Sequence, residues 1–112
     1  MNVKELLPLI EAENLTPGVD LDKEVLCGYS CDLLSWVMKN GQEGMAWVTV
    51  QTHMNVIAIA SLHEFSCIVL SEDNEMEQEV LDKATAEGIA ILTCSESSYQ
   101  ACCTLCRLGV GA

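Results

Sequence analysis

The segment from Ala46 to Ala60 constrains the fold of this chain more than any other. It opens with Trp47-Val48-Thr49-Val50, whose β-branched and aromatic residues favour a buried strand. A polar turn, Gln51 to Asn55, leads directly into the apolar stretch Val56 to Leu62, which predicts a helix buried on most faces. Strands that run straight into helices are typical of α/β sheets, where the turn borders a crevice and the N–H groups at the helix start face polar ligands.

The same alternation of strand and helix patterns continues along the chain. Five helices are predicted. The first covers 2–13 and begins with a capping box of Asn2 and Glu5, and the second covers 33–40, with Ser30 or Asp32 as its cap. The third covers 56–62, the fourth carries Val80, Leu81 and Ala84 and ends at Gly88, and the fifth begins within Ser95–Ser98 and continues through Leu108. The predicted strands are a weak one at 24–27 and stronger ones at 47–50, 66–70 and 89–92. Helical crossovers make neighbouring strands parallel and place helices on the sheet faces. The sequence therefore predicts a single α/β domain over residues 1–112, with three α/β/α layers and a mostly parallel sheet of about four strands.

Charge and motifs exclude several classes of function. The formal net charge is −12, from 17 acidic and 5 basic residues, so the chain repels nucleic acid and anionic membranes, and we expect neither as a partner. No apolar run has the roughly 20 residues that span a bilayer, and the first residues lack the order of a signal peptide, so we expect a cytoplasmic protein. Phosphate-binding, dinucleotide-binding and hydrolase motifs are absent, so we expect no enzyme activity and no cofactor.

Polar loops follow three of the predicted strands, and the carboxyl ends of parallel strands meet at one edge of the sheet. The candidate ligand-binding residues in these loops are Gln51, Thr52, His53, Asn55, Ser71, Glu72, Asp73, Ser95 and Ser97. A neutral His53 could donate to a ligand or act as a base, but we favour a turn histidine that contacts solvent or backbone. The acids from Glu72 to Glu79 could share a hard cation, although a solvated helix start explains them better. His63 is predicted to be a surface residue near a helix end.

Seven cysteines are an odd number, and in a cytoplasmic chain they favour thiols over a disulfide framework. If two groups met in space, they could bind zinc or an iron–sulfur cluster. These groups are Cys27 and Cys31, and Cys102, Cys103 and Cys106. Core packing is the favoured alternative, because cysteine is often buried. Cys94, in a turn after a strand, is predicted to be the most exposed and reactive thiol.

Three segments, Gly28–Met38, Trp47–Ala60 and Glu87–Thr93, resemble the DRTGG domain family, which includes relatives of the HPr kinase amino-terminal domain. The resemblance implies a three-layer α/β domain that self-associates, here as a homodimer. The Asp-Arg pair of the family falls on Thr52-His53, and its Thr-Gly-Gly falls on Ser71-Glu72-Asp73. Both signature turns differ here, which argues against a phosphate-type ligand inherited from the family.

The first functional hypothesis is a non-catalytic regulatory or accessory module, dimeric, that binds a small polar metabolite or nucleotide at the carboxyl-edge loops. The second is a thiol-based metal, iron–sulfur or redox accessory module that uses the two cysteine groups. The third is a purely structural protein-interaction module, with exposed parts of the last helix as its partner surface.

Overall fold

Helices and strands alternate along the chain, and the computed structural model describes all residues from Met1 to Ala112. The helices are α1 (Val3–Leu9), α2 (Leu34–Asn40), α3 (Asn55–His63), α4 (Gln78–Glu87) and α5 (Ser98–Arg107). The strands are β1 (Glu13–Asn14), β2 (Cys27–Ser30), β3 (Met45–Thr49), β4 (Cys67–Leu70) and β5 (Ile91–Thr93). They form one sheet in the order β1-β5-β4-β3-β2, with β2 to β5 parallel and β1 antiparallel to β5. The predicted α/β fold with a mostly parallel sheet is confirmed, and the sheet has one more strand than expected.

Apolar side chains cover both faces of this sheet, because successive residues of a strand point to opposite faces. Trp47 and its β4 partner Ile68 belong to one core, which packs against α2, α3 and α4. Val48 and Val69 belong to the other core, which packs against α1 and α5. The two cores and the sheet between them make the three predicted layers.

The region before α2 differs most from the prediction. The strand lies at Cys27–Ser30, three residues later than expected, so Ser30 belongs to β2 and cannot cap α2. The residue at the cap position is Leu33, and no side chain caps the helix. Asp32, the other predicted cap, accepts hydrogen bonds instead from Thr49, the last residue of β3, and from Val50 just after it. A tertiary contact has therefore displaced a local one.

The first helix is also shorter than predicted. Its capping box of Asn2 and Glu5 is present, but α1 ends at Leu9 and not near Glu13. The reason is β1: Glu13 and Asn14 extend to pair with β5, opposite Thr93 and Leu92. A two-residue edge strand has too little periodicity to be read from sequence.

The expectation that α3 is buried on most faces is confirmed. Its apolar residues Val56, Ile57, Ile59 and Ala60 are buried, and only one strip, with Asn55, Ala58 and Leu62, is exposed. His63, expected at the surface, is half-buried and stacks on Phe65 with ring centroids 5.7 Å apart. Its Nε2 lies 2.8 Å from the carbonyl oxygen of Met38, so the ring links α3 to α2.

The outer edge of β2 is contacted by the last residues of the chain. The Gly28 N–H donates to the Gly111 carbonyl at 2.7 Å. None of the five helices combines the length and the apolar character that crossing a membrane requires.

Candidate functional site

The carboxyl ends of the four parallel strands meet at one sheet edge, and a cleft of about 660 Å³ opens there. One wall is Gln51 to Met54, the turn between β3 and α3. The other wall is Glu75, Glu77, Glu79 and Val80, from the approach to α4 and its first turn. We call this space the carboxyl-edge cleft.

The turn that forms the first wall is fixed by Asp32. The Asp32 Oδ1 accepts hydrogen bonds from the Thr49 hydroxyl at 2.7 Å and from the Val50 N–H at 2.9 Å. The side-chain amide of Gln51 donates to the Asp32 carbonyl at 3.0 Å. Sequence reasoning gave Asp32 no part in the site. The sequence offered no such signal, because the strand predicted at 24–27 ended five residues before Asp32, whereas β2 ends only two residues before it, at the same sheet edge.

His53 bonds to the backbone inside this turn. Its Nδ1 accepts the Asn55 N–H at 3.0 Å, so the ring is neutral in this arrangement and carries its proton on Nε2. This is the backbone contact that the favoured interpretation of His53 requires. It leaves the Nε2–H as a side-chain donor beside the cleft.

Three backbone donors of the same wall have no partner. The N–H groups of Thr52, His53 and Met54 make no hydrogen bond within the chain, whereas the next N–H, that of Asn55, does. Such groups at the start of a helix carry partial positive charge and donate hydrogen bonds to polar ligands or water. The first wall of the cleft therefore offers donors.

The second wall has the opposite character. Glu75, Glu77 and Glu79 are all exposed, and neither a lysine nor an arginine lines the cleft. Sequence reasoning treated these acids as a solvated helix start and left them out of the site. A ligand between the walls would meet N–H donors on one side and carboxylates on the other, which disfavours a free phosphate and favours a group with its own donors or positive charge.

The other two predicted loops bond to each other and not to the cleft. The Ser71 and Ser98 hydroxyls lie 2.7 Å apart, the Glu72 N–H donates to the Glu96 carbonyl at 2.8 Å, and the Asp73 N–H donates to the Cys94 carbonyl at 2.9 Å. Ser97 caps α5 through its hydroxyl, which accepts the Gln100 N–H. Ser95 is exposed in the same loop. Of the nine predicted residues, only Gln51, Thr52 and His53 line the cleft, while Asn55 lines a neighbouring groove.

Two residues of this loop pair have left-handed backbone. The φ angles of Glu72 and Asp73 are 59° and 56°. These are the positions on which the glycines of the family signature fall. The backbone thus holds a conformation that glycine adopts readily, although the side chains here are acidic.

The structure does not unite the cysteine groups. Cys27 and Cys31 pack against the core on one sheet face, whereas Cys102 packs against the core on the other. No group of three or more His, Cys, Asp or Glu side chains is arranged to hold a metal ion. The prediction for Cys94 was wrong: it is only 4% exposed, because the β4–α4 loop covers it, and burial raises its pKa. The exposed thiol is Cys106.

No protein-family model matches the sequence, and no curated protein is similar enough to count as a relative. The fold is similar to the crystal structure of the CBS and DRTGG domains of the regulatory region of Clostridium perfringens pyrophosphatase, complexed with its activator diadenosine tetraphosphate. The TM-score is 0.71 at 12% sequence identity, and the match covers 92% of this chain and 45% of that chain. This chain thus spans less than half the length of that structure. The likeness supports the DRTGG resemblance at the level of the fold.

Proposed function

We propose that this chain is a non-catalytic regulatory module, active as a homodimer, that binds a small polar ligand in the carboxyl-edge cleft. The observation that carries the proposal is the set of unpartnered N–H groups at Thr52, His53 and Met54 on one wall of that cleft. Ligands of open α/β sheets bind at this edge, outside the carboxyl ends of the strands. A regulatory role is further supported by the similar fold of a pyrophosphatase regulatory region, which binds a nucleotide activator.

The charges of the cleft narrow the ligand class. Acceptor groups of the ligand, such as a carboxylate or hydroxyls, would face the N–H groups of Thr52 to Met54. Donor or cationic groups would face Glu75, Glu77 and Glu79. A zwitterionic or polyhydroxylated metabolite meets both demands, whereas a nucleotide meets them only with a cation such as Mg²⁺ between its phosphates and the carboxylates.

A thermal-shift screen tests this proposal with three groups of compounds: nucleotides alone, nucleotides with Mg²⁺, and zwitterionic or polyhydroxylated metabolites. A ligand present at 100 times its Kd stabilises the folded state by about 2.7 kcal/mol, which is readily detected. We expect shifts from the second or third group and none from nucleotides alone.

Two matched variants locate the binding site. Glu77→Gln removes a carboxylate from the cleft and should weaken binding of any ligand that the screen finds. Glu43→Gln makes the same change in the loop before β3, at the opposite sheet edge, and should leave affinity unchanged. A screen without any shift, or equal effects of the two variants, would contradict the proposal.

A further inference from the structure

A second cavity, which shares no residue with the carboxyl-edge cleft, brings two thiols together. It has a volume of about 210 Å³ and lies between β2, the second half of α5 and residues 110–112. Cys102 and Cys106 both line it. Cys102 is half-buried and Cys106 is exposed, so a small ligand can reach the pair from solvent. We call this space the thiol cavity.

The rest of the lining offers nothing to a hard cation. It contains no Asp, Glu, Lys or Arg side chain, and it is mostly apolar, with Leu105 and Val110 among its residues. Mg²⁺ and Ca²⁺ prefer several oxygen ligands, which this lining does not supply. Thiolates select soft ions. The composition of the cavity therefore favours a soft, thiophilic ion.

The helix sets the distance between the two thiols. Cys102 and Cys106 are four residues apart in α5, so they share one face of the helix with their Cβ atoms about 5–6 Å apart. A disulfide needs Cβ atoms about 3.5–4.5 Å apart, so the intact helix disfavours one. An ion between two sulfurs holds them about 4.6 Å apart, which is twice a metal–sulfur bond of about 2.3 Å. The spacing therefore suits a bridging ion better than a disulfide.

The number of thiols narrows the choice of ion. Structural zinc takes four protein ligands, and iron–sulfur clusters are usually held by four cysteines. Here no group of three or more His, Cys, Asp or Glu side chains is arranged to hold a metal, and Cys103 does not line the cavity. Soft monovalent cations such as Cu⁺ and Ag⁺ need only two sulfurs, placed on opposite sides of the ion. A pair of thiols is thus a complete site for this class of ion alone.

The electrostatics of the pair also favour a cation. Burial raises the pKa of the Cys102 thiol, and a charge on Cys106 would raise it further. Two thiolates side by side are therefore unfavourable unless a positive charge lies between them. The net charge of −12 on the chain attracts cations to its surface.

We propose that Cys102 and Cys106 form a two-coordinate site for a soft monovalent cation of the Cu⁺ type. On binding, two metal–sulfur bonds form, each thiol loses its proton to solvent, and neither the ion nor the sulfurs change oxidation state. The site is independent of the proposed function, because the carboxyl-edge cleft contains no cysteine.

Titration of the reduced full chain with Cu⁺ tests the proposal. The ion is added without oxygen, in competition with a chromophoric Cu⁺ chelator. We expect one tightly bound ion per chain and the release of two protons per ion, which a pH indicator in weak buffer measures. Failure to compete with the chelator, or several ions of similar affinity, would overturn the proposal. Binding without proton release would indicate ligands other than thiols, and would overturn it as well.

Three matched Cys→Ser variants locate the ion. Cys102→Ser and Cys106→Ser should each weaken binding on the order of a hundredfold or more, since even residues behind the ligands contribute about 10- to 100-fold. Cys103→Ser makes the same change on the same helix, outside the cavity, and should leave the affinity unchanged. Cys106 is exposed, so its variant should melt like the unmodified chain. Equal losses in all three variants would overturn the assigned pair.

Alkylation provides a readout on the unmodified sequence. One equivalent of Ag⁺, which has the same ligand preference and does not change oxidation state, should protect Cys102 and Cys106 from a thiol reagent. Cys103 should react at the same rate with and without the ion, as peptide mass mapping would show. Protection of Cys103 together with Cys106, and not of Cys102, would place the ion on a different pair and overturn the proposal.

Discussion

Replacing Glu72 by glycine should stabilise the protein, although glycine usually destabilises. Glu72 has a φ of 59°, in the left-handed region that costs a residue with a Cβ roughly 1–2 kcal/mol. Glycine avoids this cost but loses roughly 0.5–1 kcal/mol of extra backbone entropy on folding. The Glu72 side chain makes no hydrogen bond, and the bond from its N–H to Glu96 survives the change. The net gain should be about 0.5–1 kcal/mol.

For a chain of this size, such a gain raises Tm by about 2–4 °C. Differential scanning calorimetry measures it directly, and urea unfolding checks the free energy. Asp73→Gly should stabilise less, because Asp tolerates left-handed backbone better than Glu.

The matched control is Glu79→Gly, which removes the same side chain and charge from the first turn of α4. There the backbone is helical, so this variant should lose about 1 kcal/mol. If Glu72→Gly lowers Tm as Glu79→Gly does, then backbone strain does not govern this turn and the reasoning is refuted.

Three further predictions concern Asp32 and the cysteine thiols. Asp32→Ala should lower the free energy of unfolding, measured in urea, by about 1–3 kcal/mol, because it leaves the buried Thr49 hydroxyl without its acceptor. Asp32→Asn should lower it by less, and equal losses in the two variants would argue against this role of the bond. At pH 8 a thiol reagent should modify Cys106 first, and Cys67 and Cys94 only after unfolding; fast reaction of Cys94 in folded protein would contradict its burial. Burial raises the pKa of Cys67 from 9.0 to about 12, so the stability that its thiol form contributes should be complete below pH 9 and should decline between pH 9 and 12. In Cys67→Ala the free energy of unfolding should fall less steeply with pH over this range.

Strong periodic patterns made the core of the fold predictable. β3, β4 and β5 and the helices between them combine long apolar runs with clear stops, such as Gly88 after α4, and their order dictates parallel pairing. The features that the sequence did not predict are those fixed by residues far away along the chain. β1 forms by pairing with β5. Asp32 does not cap α2, because its side chain accepts a hydrogen bond from Thr49, seventeen residues away.

The candidate site was predictable in position but not in composition. Parallel topology alone places the turn Gln51 to His53 at the carboxyl edge. The topology does not predict that the β4–α4 loop bonds to the carbonyls of Glu96 and Cys94. Because of these bonds, Ser71 to Asp73 lie outside the cleft, and its second wall is formed by residues from Glu75 to Val80. Side-chain and backbone partners across loops are set by tertiary packing, on which local sequence carries little information.

The contact between Gly28 and Gly111 protects the sheet from unwanted growth. A parallel sheet has two open edges, and each can recruit strands from other molecules. Here β1, only two residues long, occupies one edge, and the carbonyl of Gly111 occupies a donor on the other. Removing the residues after Leu108 would expose the edge of β2. We expect the shortened protein to aggregate at concentrations at which the unmodified chain does not. A tag placed directly after Ala112 would sit beside that same edge.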